Sequence, residues 1–185
     1  RLQFLRDSAR TLNCDFLIFG HNLDDVIETQ IQRISRGCSS DGLAAPRPVM
    51  PFEGLPTHIR PLLHLRAKDI RDALKEASIP WREDSSNDDF SIARNALRKK
   101  ILPEIANSLD RDPAIGAARS RLLLEEDAVA LDIISRQKLP DAYADAPFLQ
   151  RSDLCALPPA LMRRALTHWL SGHGLISSVG ASSMD

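Results

Sequence analysis

Apolar and polar positions alternate along this chain in two different rhythms. Leu2, Leu5, Ala9 and Leu12 recur at the helical period, so residues 1–13 read as a helix. Phe16-Leu17-Ile18-Phe19-Gly20 is an almost unbroken apolar run, the pattern of a buried parallel strand. From 23 to 36 the helical period returns. Leu23, Val26, Ile27, Ile31 and Ile34 form the expected buried stripe, while Asp25, Glu28, Thr29 and Gln32 share another face. Asn22 or Asp24 is placed to cap this helix and Gly37 to end it. Residues 38–56 carry four prolines and read as a loop. A second strand is expected over 57–63, with Pro61 marking an edge or an end. Helices follow over 67–78, with Ile70, Leu74 and Ala77 inward, and over 89–101, stopped by Pro103. A polar loop over 82–88 separates them. A long helix over 113–136 turns Ile115, Ala118, Leu122, Val129 and Ile133 inward. Residues 140–147 read as a linker, 158–170 as a last helix and 172–185 as a frayed end.

A helix followed by a strand is the second half of a βαβ unit. The first strand and its phosphate-binding turn are therefore expected upstream, and the chain is expected to lack its N-terminal part. Its 185 residues, 43% apolar, suffice for one domain and part of another. A formal net charge of −1 gives no global field to recruit nucleic acid, so any such contact must use local basic patches. Cys14, Cys38 and Cys155 are scattered and odd in number, which excludes a disulfide framework and suits a reducing cytoplasm. No apolar run approaches the ~18 residues of a membrane span.

Chemistry concentrates directly after the first strand. His21-Asn22-Leu23-Asp24-Asp25-Val26-Ile27-Glu28 opens the next helix with a histidine and three carboxylates. Ligands of open α/β sheets bind at the carboxyl ends of the strands. Carboxylates there hold a divalent metal or a cationic amine, and they repel one another unless a positive group compensates. The plain alternative is a capped, solvated helix start. Arg36-Gly37-Cys38-Ser39-Ser40-Asp41-Gly42 offers backbone N–H groups and an arginine to a phosphate; the alternative is a C-cap and a flexible loop. Arg94 and Arg98 lie one turn apart, with Asn95 beside them, and suit a nucleic-acid backbone. The alternative there is a solvated face pairing with Asp84, Asp88 and Asp89. His58, His64, His168 and His173 lack metal-ligand spacing and read as surface or loop histidines. No Gly-x-Gly-x-x-Gly or Gly-x4-Gly-Lys-Ser/Thr occurs.

Taken in order, Gly20-His21-Asn22-Leu23-Asp24-Asp25-Val26-Ile27-Glu28-Thr29, Arg33-Ile34-Ser35-Arg36-Gly37, Gly42-Leu43 and Arg60-Pro61-Leu62-Leu63 resemble PP-loop ATPases that modify tRNA. Trp81-Arg82-Glu83-Asp84-Ser85-Ser86-Asn87-Asp88-Asp89, Arg94-Asn95-Ala96-Leu97-Arg98 and Ile101-Leu102-Pro103 narrow the resemblance to the tRNA(Ile)-lysidine synthase family, over roughly residues 1–135. The resemblance implies an α/β fold: a partial Rossmann-like PP-loop ATPase domain with few parallel strands over 1–110, then a helical substrate- or tRNA-binding region over 111–185.

It also implies an activity. ATP and magnesium adenylate the C2 carbonyl oxygen of the wobble cytidine in the anticodon loop of isoleucine tRNA. The side-chain amine of free L-lysine then attacks C2, giving lysidine and AMP. Asp24, Asp25 and Glu28 are the implied catalytic group. Asp25 and Glu28 bind lysine, and Asp24 is the candidate magnesium ligand. His21, Arg36, Arg94, Asn95 and Arg98 are the candidate phosphate- or tRNA-binding residues. The family's Ser-Gly-Gly-x-Asp-Ser phosphate signature is absent from these 185 residues, so they are expected to be inactive alone. Two other readings are a PP-loop tRNA thiolase, disfavoured by the missing Cys-x-x-Cys, and a catalytically silent RNA-binding module.

Overall fold

A computed structural model of the chain describes residues 2–52, 54–83, 89, 93–144 and 146–175. Residues 84–88 of the polar loop expected over 82–88, with Asp84 and Asp88, and residues 176–185 of the end expected over 172–185 lie outside the described residues. The chain divides into two units, Arg1–Glu125 and Glu126–Asp185. No described helix is long and apolar enough to cross a membrane.

The first unit opens with helix α1 (Leu2–Thr11), strand β1 (Phe16–Ile18) and helix α2 (Leu23–Ile34). A short helix α3 (Ser40–Leu43), strands β2 (Val49–Phe52) and β3 (Leu55–Ile59) and helix α4 (Ala67–Glu76) follow. The sheet order is β1-β3-β2, with β1 parallel and β2 antiparallel to β3. Phe16 pairs with Thr57 and Ile18 with Ile59. The mixed sheet and the surrounding helices are those of a partial α/β domain.

Several expectations change here. Residues 38–56 are not one loop: they hold α3 and β2. Pro51 is tolerated in β2 because that strand lies at the sheet edge, where a missing N–H costs no ladder bond. The second expected strand runs over Leu55–Ile59 and ends before Pro61, while Leu63 joins the core. Strand β1 is not buried. Phe16 and Ile18 are exposed, because β1 is the other edge and no described element covers that face.

Asn22 caps α2 in a reciprocal box. Its side chain accepts the Asp24 and Asp25 N–H groups, and Asp25 Oδ2 accepts the Asn22 N–H at 2.7 Å. Leu23, Val26 and Ile27 pack with Leu63, Ala114 and Ala117, joined by Ile31, Leu102 and Ala118. Ile34, expected inward, is exposed at the helix end. Buried Gln30 donates to the carbonyls of Leu43 (3.1 Å) and Ala117 (3.2 Å), and so ties α2 to α3 and to the long helix. Helix α4 buries no residue completely; Ile70 and Leu74 are half-buried and Ala77 is exposed.

Beyond α4, helix α5 (Ala93–Ala96) runs through a π turn (Leu97–Ile101) into α6 (Leu102–Leu109). Pro103 does not stop the helix as expected. It sits in the first turn of α6, where its missing N–H matters least. The wide turn before it bonds the Leu102 N–H to the Leu97 carbonyl, one residue further back than in an α-helix.

Helix α7 (Pro113–Lys138) inverts the expected face. Ala114, Ala117, Arg121, Ala128 and Ser135 are buried, while Ile115, Leu122, Val129 and Ile133 are exposed. The larger apolar stripe is left outside. In the second unit the expected linker at 140–147 is instead part of a small core. A 3-10 turn (Pro140–Ala142) buries Leu139 and Ala142 against Ala165, with Tyr143, Leu149, Leu154, Leu157 and Trp169 around them. Helices α8 (Arg151–Cys155), not read from the sequence, and α9 (Pro159–Gly172) complete it. Tyr143 donates to Ser135 Oγ at 2.8 Å, Ser135 to the Leu161 carbonyl, and Trp169 Nε1 to the Ala146 carbonyl at 2.7 Å.

Candidate functional site

The capping box that starts α2 places Asp25 and Glu28 one turn apart on the same side of the helix. They are not a solvated pair. Glu28 is 0% exposed and Asp25 is buried. Two charges can stay in such a place only with partners; helix α5 supplies one, Arg94, and the π turn after it the other, Arg98. Arg94 bridges both acids, with Nε 2.5 Å from Glu28 Oε2 and Nη2 2.5 Å from Asp25 Oδ1. Arg98 grips Glu28 with two nitrogens, Nε at 2.6 Å from Oε1 and Nη2 at 3.2 Å from Oε2, and reaches Asp25 at 3.5 Å. The forked donors match the carboxylate geometry. Hydrogen bonding to Glu28, then the charges of Glu28, Asp25 and Asp24, raises the Arg98 guanidinium above its ordinary value against the opposing effect of burial. The arginine side chains remain 39% and 41% exposed, so each keeps a wet edge.

A cleft of about 620 Å³ opens beside this cluster, with Glu28 and Arg98 on its wall. Ile27, Leu102, Pro103 and Ala114 give it an apolar side. Asp24 and Arg66 form a second charged edge. Asp24 Oδ2 accepts the Ala67 N–H at 2.8 Å and Oδ1 meets Arg66 Nη2 at 3.1 Å. Helix α4 has no capping side chain of its own, so Asp24 of α2 caps it from outside. Arg66 Nη1 also reaches Asp112 Oδ1 at 3.2 Å, at the start of α7. Both Asp24 oxygens are engaged within the protein, one by the Ala67 N–H and one by Arg66.

The remaining candidates scatter. His21 follows β1, stacks on Phe19 at 5.6 Å and accepts Arg60 Nε at its Nδ1, 3.0 Å away. Asn95 is buried and donates to the Asp89 carbonyl at 2.8 Å. Arg36 is exposed beyond the end of α2. The structure thus joins Asp25, Glu28, Arg94 and Arg98, with Asp24 one turn before Glu28 on α2, while the described contacts of His21, Asn95 and Arg36 lie with other groups. Arg66, Asp112 and Arg60 were not read as site residues, since each lies in sequence without a distinctive neighbour pattern.

His58 is also a correction. It is 3% exposed, on β3, with its ring 4.9 Å from Phe19 and 4.6 Å from Phe52. Burial, then the charges of Arg6 and Arg60, lowers it below its ordinary 6.5. The folded state therefore resists a proton that the unfolded chain accepts. Stability from this group is complete above about pH 6.5 and falls as pH drops below that value. Thermal melts of the wild type and His58→Gln at pH 7.5 and 5.5 should show the larger acid loss in the wild type. Equal losses would remove His58 as the cause.

Residues 1–105 match the PP-loop domain family. The chain is 37% identical, over 85% of its residues, to a tRNA(Ile)-lysidine synthase of Azoarcus. It is 39% identical over 86% to one of Xylella fastidiosa and 32% identical over 85% to one of Mycobacterium tuberculosis. It spans 35%, 36% and 48% of the length of these three relatives.

Proposed function

This chain belongs to the PP-loop domain family, and from that premise we propose that it serves an ATP-dependent ligase that converts the wobble cytidine of isoleucine tRNA to lysidine. The observation that carries this reading is the buried Asp25–Glu28 pair, with Glu28 at a cleft wall and both acids balanced by two arginines with wet edges. Four charges that cancel, set beside a cleft, suit a substrate bearing both an ammonium and a carboxylate, as free lysine does.

In this reading Asp25 and Glu28 take an ammonium group of lysine and help strip the proton that its attacking amine must lose. Every carboxylate oxygen of the pair already accepts at least one hydrogen bond. An ammonium therefore enters by exchanging with a guanidinium contact. The released guanidinium edge of Arg94 or Arg98 then meets an anion, either the lysine carboxylate or an RNA phosphate. ATP supplies the adenylyl group that activates C2 of the cytidine. Magnesium belongs to this reaction by family resemblance, and no step here passes through it. Asp24 is a positioning residue: by holding Arg66 and the start of α4 it keeps the cleft edge in place.

The test is lysine-dependent release of AMP by the full-length protein, given ATP and an unmodified isoleucine tRNA transcript. AMP release unaffected by lysine overturns the proposal. Arg36 gives a second check. Its side chain is exposed and in no ion pair among the described residues, so Arg36→Ala should leave stability unchanged. If it meets an RNA phosphate, the salt dependence of tRNA binding falls by about one unit of log–log slope. An unchanged slope removes Arg36 from the interface.

A further inference from the structure

Arg60 is held in a different way from the ion-paired guanidiniums of the first unit. Arg47, Arg66, Arg94, Arg98 and Arg121 each pair with a carboxylate. Arg60 pairs with none among the described residues. Its Nε donates to His21 Nδ1 at 3.0 Å, its Nη1 donates to the Arg47 carbonyl at 2.9 Å, and its Cζ lies 5.3 Å from the Phe19 ring centre. These partners are neutral, so they orient the group without cancelling its charge. Half-burial even lowers its pKa, the mark of a cation short of an anion.

The place matters as much as the charge. Arg60 directly follows β3 and His21 lies just beyond β1, and these two strands run parallel. Both residues therefore stand at the carboxyl ends of adjacent parallel strands, where open α/β sheets bind their ligands. The arginine always donates, so His21 Nδ1 must accept, and a neutral His21 then carries its proton on Nε2. His58, on the same strand, sits in the field of Arg60 and Arg6 and is pushed toward its neutral form.

We propose that Arg60, with His21 beside it, binds a phosphate oxyanion. Its free charge and planar donors suit a phosphate. The inference rests on the preceding reading only for where that phosphate comes from: ATP or the RNA backbone.

The experiment measures binding of ATP, adenosine and an isoleucine tRNA transcript to the full-length protein, wild type, Arg60→Gln and Arg60→Lys, with thermal melts to verify folding. Arg60→Gln should weaken ATP binding roughly ten- to a hundredfold, the usual effect of one lost charged contact, and leave adenosine binding unchanged. Arg60→Lys, which keeps the charge, should recover most of the loss. A loss in tRNA binding alone, again recovered by lysine, supports the site and assigns it to backbone phosphate. Unchanged affinity for both ATP and tRNA in Arg60→Gln overturns the proposal. So does an equal loss in Arg60→Lys, which would trace the effect to the lost Arg47 carbonyl bond. ATP binding that depends on Arg60, in a protein without lysine-dependent AMP release, would sink the proposed ligase while leaving this site standing.

Discussion

Alanine at both Arg94 and Arg98 should cost the folded protein about 3 kcal/mol, the lower end of the range for breaking a buried ion pair. Glu28 is wholly enclosed and accepts three nitrogens from these two side chains. Removing them strands a carboxylate away from water. The carboxylate then takes up a proton or drags the start of α2 open to reach solvent. The wet outer edges of the arginines moderate the cost, because water can follow into the space they leave. Glu28→Gln in the double-alanine background removes the stranded charge and should restore a large part of the loss. Urea unfolding of the wild type, the double and the triple variant measures both steps. A loss under about 1 kcal/mol in the double variant, the value of an exposed pair, would show that Glu28 is reached by water in solution.

That cluster marks where the sequence is readable and where it stops. The helical period placed Asp25 and Glu28 on one face, and the Asn22-Leu23-Asp24-Asp25 run announced the capping box. Arg94 and Arg98, one turn apart, were visible as a matched pair. Nothing local says that these pairs, 66 to 73 residues apart, meet each other. Charge balance was the available hint: three carboxylates in five residues demand a cation, and the nearby acids of the 84–89 segment drew attention instead. Helix α7 failed for another reason. Its large apolar residues and its alanines both recur at the helical period, so periodicity offers two stripes and cannot rank them. Ala114 and Ala117 of the alanine stripe pack into the cluster of Leu23, Val26, Ile27 and Leu63. Pro51 and Pro103 misled by their usual meaning. An edge strand and a wide helical turn each absorb the missing donor, and both are tertiary circumstances.

Asp25→Asn and Glu28→Gln in the full-length protein should each raise the lysine concentration needed for half-maximal AMP release by roughly ten- to a hundredfold, the equivalent of about 1.5–3 kcal/mol for one charged hydrogen bond. The affinity for ATP should change far less, because neither acid belongs to a phosphate-binding group. The two variants should differ in a way the geometry dictates. Asp25 also accepts the Asn22 N–H, so Asp25→Asn weakens the α2 cap and lowers the melting temperature with its lysine defect. Glu28 has no such duty. Its amide replacement leaves Asp25 as the one carboxylate facing both Arg94 and Arg98 in this cluster, an excess of positive charge that favours an anion at their wet edges. Phosphate-rich ligands should therefore bind Glu28→Gln at least as well as the wild type while lysine binds worse. Lysine and tRNA titrations on the same preparations separate these effects. If half-maximal lysine is unchanged in both variants, the pair is a structural ion cluster and the ammonium of the substrate is held elsewhere.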